Sequence, residues 1–211
     1  RIFVALTRQV GGYAQSLVEG ARVLAIVDTM VARARFARDY DCVEPTFRPD
    51  RLYLEQARHP LLERHLRVSG GTIVPLTLEL TAEARQLIIS GPNTGGKTVA
   101  LKTVGLLALM AQAGIPVPAE AAELPLFDAV LADIGDAQSI AQNLSTFSAH
   151  ITRLNTISQL ATSHSLVLLD ELGSATDPEE GAALAAAIAA HFVARRAWCL
   201  ISTHHTSLKV Y

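Results

Sequence analysis

The sequence predicts an α/β domain in which a mostly parallel sheet is flanked by helices, with a helical segment ahead of it. Short, nearly continuous apolar runs of strand type alternate with stretches of helical period from about residue 51 onward. That alternation belongs to a sheet covered by helices on both faces. One glycine-rich turn joins such a run directly to a helix. The first 40 residues, by contrast, carry only helical spacing.

From Arg1 to about Tyr40, Leu17, Leu24, Val27 and Val31 recur at helical intervals, and Gly11-Gly12 marks a break. Arg22, Arg33, Arg35 and Arg38 lie between them; the last three form no single stripe, so a solvated face is preferred over a DNA-binding one. Asp41 to Arg51 contains Pro45 and Pro49 and no sustained period, which reads as a linker. Residues 1–50 are therefore expected to be a helical arm with its linker, and 51–211 a second unit. Within it, strands are predicted at Thr72 to Leu80, Gln86 to Ser90, Val130 to Asp133, Leu166 to Asp170 and Trp198 to Ser202. Helices are predicted at Thr98 to Ala113, Thr146 to Leu160 and Pro178 to Ala194.

Bulk composition narrows the class. With 211 residues, 50% hydrophobic and 18% charged, the chain can bury a sizeable core in one domain plus an appendage. A net charge of -2 gives no global basic field, so composition offers no support for nucleic-acid binding. Cys42 and Cys199 fit no close-spaced ligand pattern, and no export signal is visible at Arg1, so a reducing, cytoplasmic setting is expected. The Ala-rich run Ala182 to Ala190 is too short to cross a bilayer and reads as a packing helix, so no membrane partner is expected. A helical pattern running from the first residue, and a strand just before the last ones, lead us to expect a piece of a longer protein.

The segment Gly91-Pro92-Asn93-Thr94-Gly95-Gly96-Lys97-Thr98 matches G-x-x-x-x-G-K-[ST], and it follows the apolar run Leu87-Ile88-Ile89 and precedes the helix Val99 to Met110. Glycines at 91, 95 and 96 let backbone N–H groups point inward, and the helix adds its positive end, which makes a cradle for phosphate oxygens. Lys97 is expected to reach the β- and γ-phosphates of ATP, and the Thr98 hydroxyl to coordinate Mg²⁺. A glycine-rich turn ending in an exposed lysine is the plain alternative; the flanking strand and helix weigh against it.

Leu166-Val167-Leu168-Leu169 ends in Asp170-Glu171. A parallel strand delivers its carboxyl end to the ligand crevice. Asp170 is therefore assigned to the Mg²⁺ ion, directly or through its water, and Glu171 to orienting and deprotonating the attacking water. His204 follows the strand Trp198 to Ser202 at another carboxyl end and can address the γ-phosphate or that water. Alone, such a histidine would more often be structural. Lys97, Glu171 and His204 form the expected catalytic group.

Together these residues resemble the ATPase core of the MutS family, and within it the second bacterial branch, whose members lack the mismatch-reading domain and carry a linked Smr domain. The resemblance runs over roughly residues 51 to 210. It is carried by Gly91 through Thr103, by Arg58-His59-Pro60, by Asp133-Ile134-Gly135-Asp136-Ala137-Gln138-Ser139-Ile140, by Asn143-Leu144-Ser145-Thr146-Phe147-Ser148, by Asp170 through Pro178, and by Ser202-Thr203-His204-His205.

The resemblance implies a P-loop NTPase of ABC-ATPase type, in which two copies face each other and bury two ATP molecules between them. It implies that Ser145 acts in trans on the partner's γ-phosphate, whereas on its own residues Ser145 is simply a helix N-cap. Gln138 matches a Q-loop-like position that senses the metal or the attacking water. Asp177 matches a turn that meets the opposing subunit, and Asn93 a loop residue near the γ-phosphate, although Asn is also an ordinary turn-former. Pro92, Thr94 and Val99 complete the nucleotide loop. Ile73 and Val74 align with residues that sandwich adenine, and strand core is an equal reading. The helical arm resembles the family's lever.

A homodimer closing through the ATPase face, branched DNA as the target, and a possible ribosome-associated role are likewise what the family implies. The Smr domain is not in this chain, so nuclease activity is not expected of it. Three other functions compete with this one. A P-loop phosphotransferase would need an acceptor pocket and an Arg-rich lid, and neither is visible. A transporter domain would need a Leu-Ser-Gly-Gly-Gln-like signature where this chain has Asn-Leu-Ser-Thr-Phe. A nucleotide-binding scaffold with little turnover would have no use for Glu171 and His204.

Overall fold

A computed structural model of the protein describes residues 1–92, 95–135, 146–174 and 177–204. Helices α1 (Ile2–Gly12) and α2 (Ala14–Asp39) come first, separated at Tyr13. Neither has a buried residue, and Ile2, Phe3, Leu17, Leu24 and Met30 all lie exposed. The root of the arm, however, is held firmly. Phe36 packs against the main core, and the Arg33 guanidinium donates to the Ala113 carbonyl oxygen at 3.1 Å. Arg58 donates to the carbonyl oxygens of Tyr40 and Asp41, and Arg67 to that of Asp39. Cations on the last carbonyls of a helix complement its negative end.

The segment read as a linker is stitched into the α/β unit. Val43 bridges Val117, and β1 (Thr46–Phe47) pairs in parallel with β5 (Ala121–Leu124). Strand β5 also pairs antiparallel with β2 (Arg51–Ala57), which pairs antiparallel with β3 (Leu76–Thr81). In the resulting sheet, ordered β1-β5-β2-β3, only β3 was expected from the sequence; β1, β5, β2 and helix α3 (Pro60–Ser69) between β2 and β3 were not. The expectation of a mostly parallel sheet therefore holds for one of two sheets. The predicted strand Thr72 to Leu80 begins only at Leu76. Pro75 has no N–H to give a ladder, so the run before it stays outside the sheet.

The second sheet is wholly parallel. Its order is β4 (Gln86–Ser90), β8 (Trp198–Thr203), β7 (Leu166–Leu169) and β6 (Val130–Asp133). Every residue of β7 and β8 is buried. Their side chains alternate between two cores, as the two-residue period of a strand requires. Leu166, Leu168, Trp198 and Leu200 join Leu52, Leu54, Leu78 and Leu80 of the first sheet around helix α4 (Lys97–Gln112). Val167, Leu169, Cys199 and Ile201 face helices α5 (Thr146–Leu160) and α6 (Pro178–Arg195).

Helix α4 is the element that both sheets grip. Leu101, Val104 and Leu107 are fully buried, and each contributes about 2 kcal/mol of apolar burial. Gly105 allows close approach to β7, because a Cβ there would lie 2.5 Å from Leu168 Cδ1. The amino end of α4 is thereby fixed relative to the ends of β7 and β8. That end carries the glycine-rich loop.

Candidate functional site

Gln86 pairs with Cys199 and Ser90 with Thr203, while Leu169 pairs with both Ile201 and Asp133. All four strands run the same way, so their carboxyl ends share one edge of the sheet, the usual ligand side of such a layer. Gly91 follows β4 there, Asp170 and Glu171 follow β7, and His204 follows β8.

The loop after β4 turns through backbone conformations that favour glycine. Gly91 has φ 154° and Gly96 φ 77°, and Gly96 caps α4. A Cβ built on Gly91, Gly95 or Gly96 would meet nothing within 4 Å, so the space beside these three residues is open among the described residues. Lys97 is 4% exposed, and its Nζ donates to the Gly91 carbonyl oxygen. An ammonium carries three donors and can address a phosphate oxygen as well. The amino end of α4 adds partial positive charge beside it. Thr98 is half-buried, while Pro92 and Val99 are exposed on the loop and the first turn.

The acidic pair is held by a residue the sequence reading left without a role. Ser202, fully buried at the end of β8, donates its hydroxyl to Asp170 Oδ1 and accepts the Glu171 N–H at 2.8 Å. Its carbonyl oxygen accepts the Leu172 N–H at 3.0 Å, and the Thr203 hydroxyl donates to the Leu172 carbonyl oxygen at 3.1 Å. These bonds fix Glu171 at φ 51°, a left-handed conformation that costs a non-glycine residue about 1 kcal/mol. Its carboxylate lies beside the residue that follows β8. There His204 Nε2 stands 3.5 Å from Glu171 Oε1, with both side chains partly exposed.

The donor set suits Mg²⁺. Thr98 and Asp170 offer hard oxygen ligands, and a carboxylate with one oxygen on Ser202 keeps lone pairs for a cation. Among the described residues no cluster of three or more His, Cys, Asp or Glu forms a closed metal cage. Burial pushes the Cys42 thiol up to about 11 and that of Cys199 higher still, so neither supplies a thiolate nucleophile at neutral pH.

The remaining expectations divide. Asp177 accepts the Glu179 N–H at 3.0 Å and caps α6. Ile73 and Val74 lie before β3 and outside both sheets, with Val74 89% exposed. This removes the strand-core reading of that pair. Asn93, Thr94, Gln138 and Ser145 lie outside the described residues, as does the Phe147 side chain. One further side chain emerges at the same edge: Asp133, 5% exposed at the end of β6, meets His150 and Arg153 of α5.

Residues 87–211 match the family described as MutS domain V. A protein named Endonuclease MutS2 from Thermomicrobium roseum is 47% identical over 224 residues, covering 100% of this chain and 28% of that protein. Proteins of the same name from Brevibacillus brevis and Staphylococcus aureus (strain Newman) are 45% and 44% identical, with 100% of this chain and 26% of each relative covered. The chain thus spans about a quarter of the length of the curated relatives it matches. The family match runs through the strands and helices that carry the site, and the chain belongs to the MutS family, as a piece of a MutS2-type paralogue whose residues 87–211 match domain V.

Proposed function

We propose that this chain binds ATP with Mg²⁺ on the loop Gly91 to Thr98 and hydrolyses it to ADP and free phosphate. The observation that carries the reading is Glu171, in a left-handed conformation beside His204, at the end of β7, the strand next to the loop strand's partner β8. The loop residues and the amino end of α4 hold the phosphates, and Lys97 balances their charge. Glu171 takes a proton from a water aligned with the γ-phosphorus, and His204 holds that water or a γ-phosphate oxygen. The new P–O bond forms as the bond to the β-phosphate oxygen breaks, and ADP leaves. Thr98, Asp170 and Gln138 would hold Mg²⁺, which would supply charge neutralisation on the phosphate oxygens.

The finer reading is an ABC-type dimer in which each copy's Ser145 completes the other copy's site, with Gln138 and Asp177 near the shared face. ATP closes the pair and hydrolysis reopens it. The arm α1–α2, tied through Arg33 to the carboxyl end of α4, carries that motion to nucleic acid, with branched DNA or a ribosome as target in a cytoplasmic setting. Ile73 and Val74 are kept as candidate adenine contacts, since Val74 is exposed and Ile73 partly so, which leaves them accessible to a base.

Product analysis tests the reaction. Incubating the full-length protein with ATP and Mg²⁺ should release free phosphate in step with ADP, and Lys97→Ala should abolish the release. Transfer of the γ-phosphate to an added small acceptor, without free phosphate, would make the site a phosphotransferase.

A further inference from the structure

Asp133 ends β6 with 5% of its surface exposed. A carboxylate buried that deeply persists only where cations or donors face it. Both of its oxygens are approached by a single helix. His150 Nδ1 stands 2.5 Å from Oδ2, and Arg153 Nη1 stands 3.2 Å from Oδ1. Positions 150 and 153 are one turn apart on the same face of α5. The Arg153 contact is a formed hydrogen bond. The His150 approach is close but off the hydrogen-bond line, and Oδ2 and His150 Nε2 are buried without a hydrogen-bond partner among the described residues.

The placement of these contacts along α5 matters. Its buried apolar anchors, Leu154 and Ile157, join the core under β7 and β8 toward the carboxyl end of the helix, with Ala161 just past that end and the partly buried Ile151 between His150 and Arg153. The Asp133 contacts hold the turns nearer the amino end, directly after Thr146 and hence after Ser145 in the chain. Meanwhile the Asp133 carbonyl oxygen accepts the Asp170 N–H at 2.9 Å. One residue therefore joins the start of α5 to the strand end that bears the acidic pair.

We propose that Asp133 is a positioning residue for the reaction in the opposite copy: it sets the direction in which α5 presents Ser145 across the dimer face. This rests on the composite-dimer reading given above. Asp133 touches no reacting atom in this account and acts through His150 and Arg153.

The test uses mixed dimers of the full-length protein, read by phosphate release. In a two-fold dimer of independent composite sites, mixing equal amounts of Lys97→Ala and Ser145→Ala subunits should recover about a quarter of wild-type activity, because half the dimers carry one intact site. Asp133→Asn, nearly isosteric, is expected alone to lower kcat about 10-fold or more, with the ATP KM within about two-fold of wild type. Mixed with Lys97→Ala, it should recover activity as Ser145→Ala does, since its own loop meets an intact α5. Recovery in the Ser145 mixture but not in the Asp133 mixture would overturn the proposal and place the effect of Asp133 in its own subunit. No recovery in the Ser145 mixture would instead overturn the composite dimer itself. If Asp133→Asn does not fold, judged by its melting curve, His150→Gln combined with Arg153→Gln removes the same contacts from the helix side and is read by the same mixtures.

Discussion

His204 Nε2 and Glu171 Oε1 face each other at 3.5 Å from the ends of two neighbouring parallel strands. The separation exceeds that of a strong hydrogen bond, and both side chains remain partly open to solvent. A water can therefore sit in reach of both, which is the arrangement hydrolysis needs. If His204 orients the water or a γ-phosphate oxygen while Glu171 takes the proton, His204→Ala should lower kcat by about 10-fold to 100-fold and leave KM for ATP nearly unchanged. Steady-state phosphate release over a range of ATP concentrations separates the two parameters. A rise in KM alone would assign His204 to ground-state binding.

Ser202 is the hinge of the acidic turn. Its hydroxyl serves Asp170 as donor and the Glu171 N–H as acceptor, in a site with no exposed surface. Ser202→Ala leaves both groups without that partner, which should cost about 1–3 kcal/mol of stability. Because the same change loosens Asp170 and Glu171, the Mg²⁺ concentration for half-maximal activity should rise. Thermal unfolding and a Mg²⁺ titration of phosphate release check the two effects, and Ser202→Thr should retain more of both than the alanine variant.

A pH effect should appear at α3. His59 caps this helix, with Nδ1 accepting the Leu62 N–H at 3.4 Å. Burial is the main cause that holds its pKa below the ordinary value, and the nearby Lys102 charge adds to it. A neutral imidazole is therefore favoured in the folded state. Its contribution to stability is fully present above the unfolded value of about 6.5 and is lost as pH falls through the lower folded value. The melting temperature of wild type should fall more steeply than that of His59→Asn as pH drops below about 6.5, since Asn keeps a cap acceptor and does not titrate. Parallel curves would remove His59 as a source of the pH dependence.

How far the sequence revealed this molecule depended on the kind of signal each element leaves. Strands β7 and β8 stand out because they are buried on both faces and read as apolar runs, and β4 and β6, only partly buried, carry shorter runs of the same kind. The glycine-rich loop stands out because its mechanism demands particular residues at fixed spacing. Strand β2 carries a different signal, the alternation of Leu52 and Leu54 with Arg51, Tyr53 and Glu55 that marks a half-buried strand, and a search for apolar runs passes over it and over its four-residue partner β5. The prolines at 45 and 49 suggested a linker where Val43 and Thr46 in fact pair with the sheet side of the molecule.

Within the site, a single hydroxyl at the end of an apolar run gave Ser202 no periodic signature. The contacts of Asp133 with His150 and Arg153 are closed by the fold across intervening chain, and no local pattern announces them. Ile73 and Val74 misled as a strand because apolar character alone does not supply the N–H that Pro75 lacks.

The central claim is that Glu171 activates water for attack on ATP. Its most direct test is phosphate release by the full-length Glu171→Gln variant in Mg²⁺ and ATP, with ATP binding measured alongside. Glutamine keeps the size of the side chain and removes its ability to accept the proton. The account predicts a fall in kcat of about 100-fold or more with ATP still bound as tightly as in wild type. Release of phosphate at the wild-type rate would contradict it.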